Sequence, residues 1–425
     1  MTCFSPGLPL AAALGLQLAL YPVAQAQTAP AETPKIVLMA EGDSADADSP
    51  LRITLAHELS YKVESPRELI KNRSSLQVEY SRYLLEHFFV QFNGKASAFL
   101  GSDHRHQEEG RDATVSQAYV QTSFGKTSIK AGVQALPWGE SILAPVTDEV
   151  SPRDNRELFN FNLEELRIGQ GMVVVDQFSE LGRWSAFYIP QARYNKNPER
   201  GSAYFFDPLV YTRDIDHGNR SEYGLSWKKN FEGFDLSLMG ASLLENDYAL
   251  RLDGAGVATR MPHRFRMAGV VANYAMRDVV LRAEAAWKQG RPFYTGAMQL
   301  IEKNQVDAYV ALDYRHSPTL TFSVEAVNQH IAGWDSTVSG VPRNRQSLLL
   351  SATKMLMNDD LSINVMNFYN RPYTSNLTML ISTLKWDDHL TFGLNLVYPH
   401  SSEPRSGLWN VRDQKQIVMR VQYQF

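Results

Sequence analysis

The last ten residues of the chain, QIVMRVQYQF at 416–425, alternate between apolar and polar side chains. One face would carry Ile417, Met419, Val421, Tyr423 and Phe425, and the other would carry Gln416, Arg420, Gln422 and Gln424. Neighbouring side chains of an extended strand point to opposite faces of a sheet. This stretch therefore predicts a β-strand with one apolar and one polar face.

The same alternation extends back to Leu51 in segments of about 10–14 residues, separated by turn residues. About 18 candidate strands begin near Leu51, Arg73, Phe88, Ala113, Thr127, Arg167, Gly182, Arg220, Phe234, Arg264, Val279, Asn304, Leu320, Gln346, Leu361, Asn376, Leu390 and Lys415. Strands of soluble proteins average about 5–6 residues, whereas a tilted membrane-spanning strand needs about 9–11. The lengths favour a membrane barrel over a soluble sandwich or propeller.

The connections between these segments alternate between tight turns and longer polar loops. Tight turns include Gly125-Lys126, Glu232-Gly233 and Arg277-Asp278, while the longer loops are 102–112, 140–166, 195–219, 247–263, 288–303, 332–345 and 402–414. Short periplasmic turns and long external loops are typical of outer-membrane barrels. We predict an all-β fold, a transmembrane antiparallel up-and-down β-barrel of about 18 strands, or 16 if one hairpin is misassigned.

Composition excludes several other classes of protein. The net charge is −4 and no long run of like charge occurs, so nothing predicts a nucleic-acid partner. The mean hydropathy is −0.30, which is too polar for a bundle of membrane helices. The single cysteine, Cys3, excludes an internal disulfide.

The N-terminus predicts export. An apolar run from Leu8 to Ala24 is followed by Ala24-Gln25-Ala26, a pattern that signal peptidase recognises. We predict a signal peptide at 1–26, a flexible periplasmic leader at 27–50 and the barrel at 51–425. The alternative is an N-terminal membrane anchor that is retained. The expected location is the outer membrane, in contact with outer-membrane lipid.

The loop 140–166 is the third external loop and the richest in charge. Loops at this position in general porins fold into the barrel, and the analogy predicts a constriction formed by Asp148, Glu149, Arg153, Asp154, Arg156 and Glu157. Opposed carboxylates and guanidinium groups across a narrow aqueous space would filter or orient solutes. The alternative is a solvated loop whose charges pair with one another.

Charged side chains in the candidate strands should face the lumen, because an arginine or lysine facing lipid near the midplane costs about 2–4 kcal/mol. The predicted lumen wall is Arg266, Arg282, Glu284, Lys288, Asp307, Asp313, Arg315 and Glu325. The predicted lipid-facing neighbours are Val271, Leu281, Ala283, Ala285, Val306, Val310 and Leu312. Aromatic residues near strand ends, such as Trp227, Trp287, Tyr314 and Trp386, would suit interfacial girdles.

Two stretches resemble known outer-membrane proteins. The aromatic end of the chain, Tyr423 and Phe425, resembles the C-terminal signal that barrel-assembly machinery reads. The stretches 131–134, Pro137-Trp138-Gly139-Glu140 and 148–154 resemble the G-x-Q, W-G-E and N-P-x-D core of the proteobacterial outer-membrane proteins of domain of unknown function 1302. Ser151 stands where the pattern has Asn. The resemblance implies transport, with an inner-membrane transporter and a periplasmic partner, and porins and alginate-export barrels are more distantly similar.

An enzymatic function has little support in the sequence. His104 and His106 flank Arg105 in a polar loop, and such a pair is more often solvated than bound to a metal. We expect no catalytic residues, no metal and no cofactor. Export-system component is the preferred function; a free-standing diffusion porin is the alternative, and a surface enzyme or an adhesin is a further one.

Overall fold

The computed structural model describes residues 50–84, 87–100, 110–159, 166–198, 202–205, 212–214, 218–252 and 257–425. The predicted signal peptide and nearly all of the leader lie outside the described residues. The strands are β1 Leu51–Lys62, β2 Glu68–Leu84, β3 Phe88–Phe99, β4 Arg111–Phe124, β5 Thr127–Gln134, β6 Gln170–Ser179, β7 Gly182–Ile189, β8 Thr212–Asp214, β9 Glu222–Phe231, β10 Phe234–Leu244, β11 Ala249–Leu252, β12 Ala258–Met261, β13 Arg264–Met276, β14 Val279–Tyr294, β15 Leu300–Ser317, β16 Leu320–Ala332, β17 Asn344–Leu356, β18 Leu361–Arg371, β19 Ser375–Lys385, β20 Leu390–Ser401 and β21 Gln416–Gln424. A 3-10 turn covers Trp409–Val411. Among the described residues, no helix has the length and apolar character needed to cross a membrane.

Eighteen of these strands form one closed antiparallel sheet. Each pairs with its neighbour in the chain, and β1 pairs with β21 from Thr54 opposite Gln424 to Lys62 opposite Gln416. Closure satisfies the backbone groups that an open edge would leave without partners in hydrocarbon. The predicted all-β barrel of 18 strands is confirmed, and the alternative of 16 strands is wrong.

β1 begins and β21 ends at the rim where short turns join neighbouring strands, called the short-turn rim below. The opposite rim carries the longer connections, including 135–169, 190–221 and 245–263. The short strands β8, β11 and β12 pair with one another at this loop rim. The predicted long loop at 288–303 is wrong, because β14 and β15 continue as a hairpin in which Arg291 pairs with Lys303 beyond a bulge.

The two faces of the sheet differ in chemistry. On β14 and β15, Leu281 and Val310 are 43% and 59% exposed on the outer face, whereas Glu284 and Asp307 are 3% and 0% exposed on the inner face. An apolar outer face and a polar inner face fit a sheet that is surrounded by lipid and encloses water.

The predicted orientation of β13 is wrong. Val271 pairs with Glu284 and is buried on the inner face. Arg266 is five residues before Val271, and residues an odd number apart point to opposite faces of a strand. Arg266 therefore lies exposed on the outer face, where it pairs with Gln289. Arg266 is the third residue of β13 from the loop rim. A cation there costs far less than one at the midplane, about 0–1 kcal/mol, which makes this orientation tolerable.

Aromatic side chains form a band at the short-turn rim. Tyr314 and Trp386 are exposed there, and Tyr423 contacts the Phe425 ring at 4.8 Å between centroids. The backbone N–H of Phe425 donates to Ile53 O at 2.9 Å, so the last residue still takes part in the closing seam. The role of Tyr423 and Phe425 as an assembly signal stays a prediction.

Candidate solute channel

Residues 135–169, called the inner segment below, connect β5 to β6 and contact the inner face of the barrel. The apolar side chains of Leu143, Val146 and Val150 are fully buried. Within the segment, Ile168 N donates to Pro152 O at 2.8 Å and Asp154 N donates to Leu166 O at 2.7 Å, and the Gln170 side chain at the start of β6 donates to Val150 O at 2.7 Å. Backbone hydrogen bonds therefore connect the two ends of the segment to each other.

The first contact with the wall is the Glu284 carboxylate on β14. It accepts hydrogen bonds from the backbone N–H groups of Glu140 and Ser141 and from the hydroxyl of Thr147, the last two at 2.7 Å. A side chain on Gly139 would meet Glu284 Oε2 at 2.7 Å and Thr147 Oγ1 at 2.5 Å. The glycine in the Trp138-Gly139-Glu140 motif thus leaves space for the carboxylate that holds the motif.

The second contact is the ammonium group of Lys288, also on β14. It donates to Glu149 Oε1 at 2.6 Å, to Asp307 Oδ2 at 2.7 Å and to Pro145 O at 2.8 Å, and its side chain is completely buried. Three acceptors saturate the three N–H groups of the ammonium. Burial raises the pKa of Glu149, but Lys288 and Arg291 outweigh this effect and bring the pKa below its usual value.

The third contact lies on the other side of the barrel. Glu157 forms ion pairs with Lys71 and with Arg73 on β2, the latter at 2.5 Å between Oε1 and Nη1. Glu58 on β1 shares both cations, at 2.6 Å from Lys71 and 3.2 Å from Arg73. All four side chains are largely buried, so the carboxylates and cations neutralise one another away from bulk water.

These contacts tie the inner segment to opposite sides of the lumen. In the ring of eighteen strands β2 is second and β14 is eleventh, so the two are half a turn apart. Glu149 and Glu157 are separated by eight residues, which span at most roughly 28 Å when fully extended. The inner segment therefore forms a strut across the barrel.

The remaining charges of the strut pair among themselves or with nearby strands. Asp148 accepts from Arg153 at 2.9 Å and from Arg167 at 3.0 Å. Arg156 lies between Asp154 and Asp112 of β4, at 2.5 and 2.7 Å. The structure thus places all six predicted constriction residues inside the barrel, in separate groups of ion pairs. Asp148 with Arg153 and Asp154 with Arg156 show the mutual pairing that was the alternative, whereas Glu149 and Glu157 bind the barrel wall.

The two sides of the strut differ. On the side of β17–β21, inward side chains such as Leu349, Phe368 and Met379 belong to one buried apolar cluster with Leu143 and Val150 of the inner segment. Beside β2–β4 there is a polar cavity of about 1180 Å³, which the inner segment and residues 190–196 also line. The apolar cluster continues onto β6 and β7 through Met172 and Phe187, so this open space lies toward β2–β4.

The predicted wall residues fall into three groups. Glu284, Lys288 and Asp307 contact the strut or its partners, as described above. Arg282 bridges Asp313 at 2.9 Å and Glu325 at 3.3 Å on the inner face. Arg315 is 47% exposed at the short-turn rim, where it pairs with Asp278 of a turn, and Arg266 is on the outer face.

Several residues of this site were not identified from the sequence. They are Glu58, Lys71, Arg73, Asp112, Glu245, Arg291 and the stretch 190–196. Lys71 and Arg73 are spaced two apart and so share a face of β2, which could have placed them in the lumen. Among the described residues, no group of three His, Cys, Asp or Glu side chains could hold a metal ion. His104, His106, Glu164 and Glu165 lie outside those residues.

The closed barrel, the exposed apolar face and the internal strut define an outer-membrane, porin-like β-barrel. The fold is similar to OccK8 (OprE) of Pseudomonas aeruginosa at 10% identity, covering 88% of this chain and 98% of that one, with a TM-score of 0.54. It is also similar to OccAB2 and OccAB4 of Acinetobacter baumannii at 9% and 8% identity, each covering 88% of this chain and 97% of the other, both with a TM-score of 0.54. No relative was found among curated proteins.

The family follows from the sequence itself. Residues 44–424 match the family model described as a protein of unknown function (DUF1302). The chain belongs to this family, which confirms the resemblance of its motifs. Two motif glycines now have structural reasons: Gly139 leaves room for Glu284, and Gly132 lets β5 approach the backbone of β4.

Proposed function

We propose that this protein is a solute channel of the outer membrane, narrowed by the inner segment to a polar path on the side of β2–β4. The observation that carries the proposal is the pair of ties at opposite walls, Glu149 to Lys288 and Glu157 to Lys71 and Arg73. A strut held at both ends keeps the path at a constant width without closing it. Small polar solutes would pass beside the strut.

The charges along this path have the arrangement of a filter. Arg167 lines the same cavity as Asp112 and Asp154, so a solute passes between a cation and carboxylates. Preformed opposed charges orient a dipolar solute and discriminate by sign, because the enclosed space has few waters to screen them. No reaction is proposed for these residues.

Single-channel conductance of residues 27–425, refolded into a planar bilayer, tests the proposal. Wild-type protein should give stable steps, and the double variant Glu149→Gln, Glu157→Gln should give larger or noisier steps, because the strut loses charge at both ties. The matched control is Asp278→Asn, an acid-to-amide change at an exposed rim pair. A wild-type barrel that stays silent, together with a silent double variant, would contradict the channel.

A second candidate is the outer-membrane component of an export system that opens with an inner-membrane transporter and a periplasmic partner. The packing of the strut with apolar side chains of β17–β21 favours it, because this packing occupies part of the lumen. An exporter of this kind would be silent alone but would conduct in the double variant. The same recordings therefore separate the two mechanisms.

Both mechanisms require that the protein is exported to the outer membrane. We propose that residues 1–26 are removed as a signal peptide, that 27–50 form a periplasmic leader and that the assembly machinery reads Tyr423 and Phe425. Mass spectrometry of the mature protein should give an N-terminus at Gln27. Retention of the first 26 residues would instead favour the N-terminal anchor.

A further inference from the structure

The cavity beside the strut carries an excess of positive charge. Among the charged side chains that line it, six are cations and three are acids. The cations are Arg73, Lys95, Arg167, Arg193, Lys196 and Arg220, and the acids are Asp112, Asp154 and Glu157. The cavity is enclosed by β2–β4, the inner segment and residues 190–196, so bulk solvent screens this charge only in part.

All three acids already have cationic partners. Asp112 and Asp154 both bind Arg156, and Glu157 binds Lys71 and Arg73. Two of these cations, Arg156 and Lys71, come from outside the lining, so the acids do not compensate the remaining cations of the cavity. Asp148 and Glu58, also outside the lining, pair with Arg167 and Arg73 and offset these two cations, so the excess of positive charge stays that of the lining itself.

Three of the cations have no acid of their own. Within the described parts of the chain, no carboxylate lies at ion-pair distance from Arg193, Lys196 or Arg220. Arg193 is held in position by backbone groups: its Nη1 donates to Gly169 O at 2.9 Å, and its own N–H donates to the Gln170 side chain at 2.7 Å. The Lys196 backbone is fixed to Arg153 O at 2.9 Å. The Arg193 side chain is therefore held in position, and none of the three cations is neutralised by a carboxylate of the described residues.

A tyrosine pair lies beside these cations. The rings of Tyr194 and Tyr248 stack with 3.7 Å between centroids and both line the cavity. The Tyr194 hydroxyl is buried and has no hydrogen-bond partner. Burial raises the pKa of Tyr194 to about 12, so the hydroxyl keeps its proton. Because the hydroxyl has no accessible surface, the tyrosine pair offers the cavity its aromatic rings and not a hydrogen-bond donor.

We propose that this cavity binds a small organic anion on its way through the channel. Its carboxylate would be bound by Arg193, Lys196 and Arg220, and its apolar body would lie against the tyrosine pair. Arginine forks match the geometry of carboxylate oxygens, and the volume suits a molecule of a few tens of heavy atoms at most. The inference rests on the proposed function, since it names the class of solute that the channel carries.

Binding can be measured without conduction, which separates the site from the channel. Isothermal titration of benzoate into the detergent-solubilised mature barrel should show saturable binding, and benzyl alcohol, a neutral analogue of similar size, should bind at least about tenfold more weakly. Equal binding of the two would overturn the role of the cations. Inorganic phosphate that binds as tightly as benzoate would overturn the role of the tyrosine pair.

Variants locate the site. Arg193→Gln and Arg220→Gln should each weaken benzoate binding about tenfold, and Tyr194→Ala, which removes one ring of the stacked pair, should weaken it by a smaller factor. Arg193→Lys, which keeps the charge, should retain part of the affinity and so separates charge from folding. The control Arg405→Gln changes an arginine that is 59% exposed in the last loop. Benzoate binding that is unchanged in both glutamine variants, or that falls equally in the control, would contradict the proposal.

Discussion

At the scale of single residues, the account depends most on Lys288. Its ammonium is completely buried and compensates Glu149 of the strut and Asp307 of β15. Lys288→Met keeps the length of the side chain but removes the cation from the buried Asp307 and leaves the buried Glu149 with Arg291 alone. Breaking a buried ion pair in this way costs about 3–5 kcal/mol. We expect a decrease of this size in the free energy of unfolding, measured in urea with the barrel in detergent.

The control for Lys288 is the exposed rim pair of Arg315 and Asp278. Asp278→Asn should change the free energy of unfolding by about 0.5 kcal/mol or less, because exposed ion pairs contribute little. A Lys288→Met variant as stable as this control would show that the buried network is not needed for stability.

A second residue, Glu245, should make stability depend on pH. Burial, and secondarily Glu149 and Asp247, raise its pKa from 4.5 to about 7, against the opposite effect of Arg291 and Lys288. A folded pKa above the unfolded one means that the folded state binds more protons between pH 4.5 and 7, so stability falls as pH rises through this window. Glu245→Gln should flatten this part of the stability curve, measured by thermal unfolding at pH 5 and pH 8.

Glu149 makes stability depend on pH in the opposite direction, and at lower pH. Its pKa is lowered in the folded state, so its contribution is present above the unfolded value of 4.5 and is lost as pH falls below it. Wild type and Glu245→Gln should therefore lose stability together below pH 4.5. Identical curves for the two proteins between pH 5 and 8 would contradict the role of Glu245.

At the scale of elements, the hairpin β4–β5 depends on one glycine. Gly132 has φ of 138°, and a side chain there would meet the Ala118 carbonyl oxygen at 2.3 Å and Tyr119 Cα at 2.6 Å. Gly132→Ala should therefore destabilise the barrel by about 1–3 kcal/mol through strain and overpacking. Gly171→Ala on β6 is the control, because nothing lies within 4 Å of its added side chain. Equal unfolding curves for the two variants would contradict the close approach.

The strands could be predicted from the sequence because their alternation is local. Every barrel strand begins within five residues of its predicted start; β2, which begins at Glu68 and not Arg73, differs most. For β13 the prediction of which face points inward is wrong. Residues 268–272 are Ala-Gly-Val-Val-Ala, so no polar side chain indicates the inner face. Only pairing with β14, where Glu284 lies opposite Val271, fixes which side faces inward.

The site could be predicted only in part. The charge density of 148–157 indicated the strut, but its partners depend on contacts that are distant in sequence. Glu157 and Arg73 are 84 positions apart, and Lys288 and Glu149 are 139 apart. These pairs depend on how the barrel closes. The alternation of apolar and polar side chains within a strand gives no information about closure. The cationic cavity was missed for the same reason, since it combines β3, the inner segment and residues 190–196.

At the scale of the whole molecule, two features act together. The closed ring satisfies every edge of its strands, and the strut lies between apolar packing toward β17–β21 and a polar cavity toward β2–β4. The ring fixes β2 and β14 at opposite sides, so the strut has a constant span. In the proposed channel, the closed sheet and the ion-paired strut then set the width of the path.

Disulfide formation in a Thr147→Cys, Gly269→Cys double variant tests the strut most directly. A side chain at Gly269 of β13 would lie 2.9 Å from Thr147 Cγ2, the position that a cysteine sulfur would occupy, and a disulfide brings sulfur and the opposite Cβ to about this distance. We predict nearly complete cross-linking under mild oxidation, seen as a reduction-sensitive shift in electrophoretic mobility, and none in the control Thr147→Cys, Gly171→Cys. A folded barrel in which the first pair stays reduced would contradict an inner segment tied across the lumen.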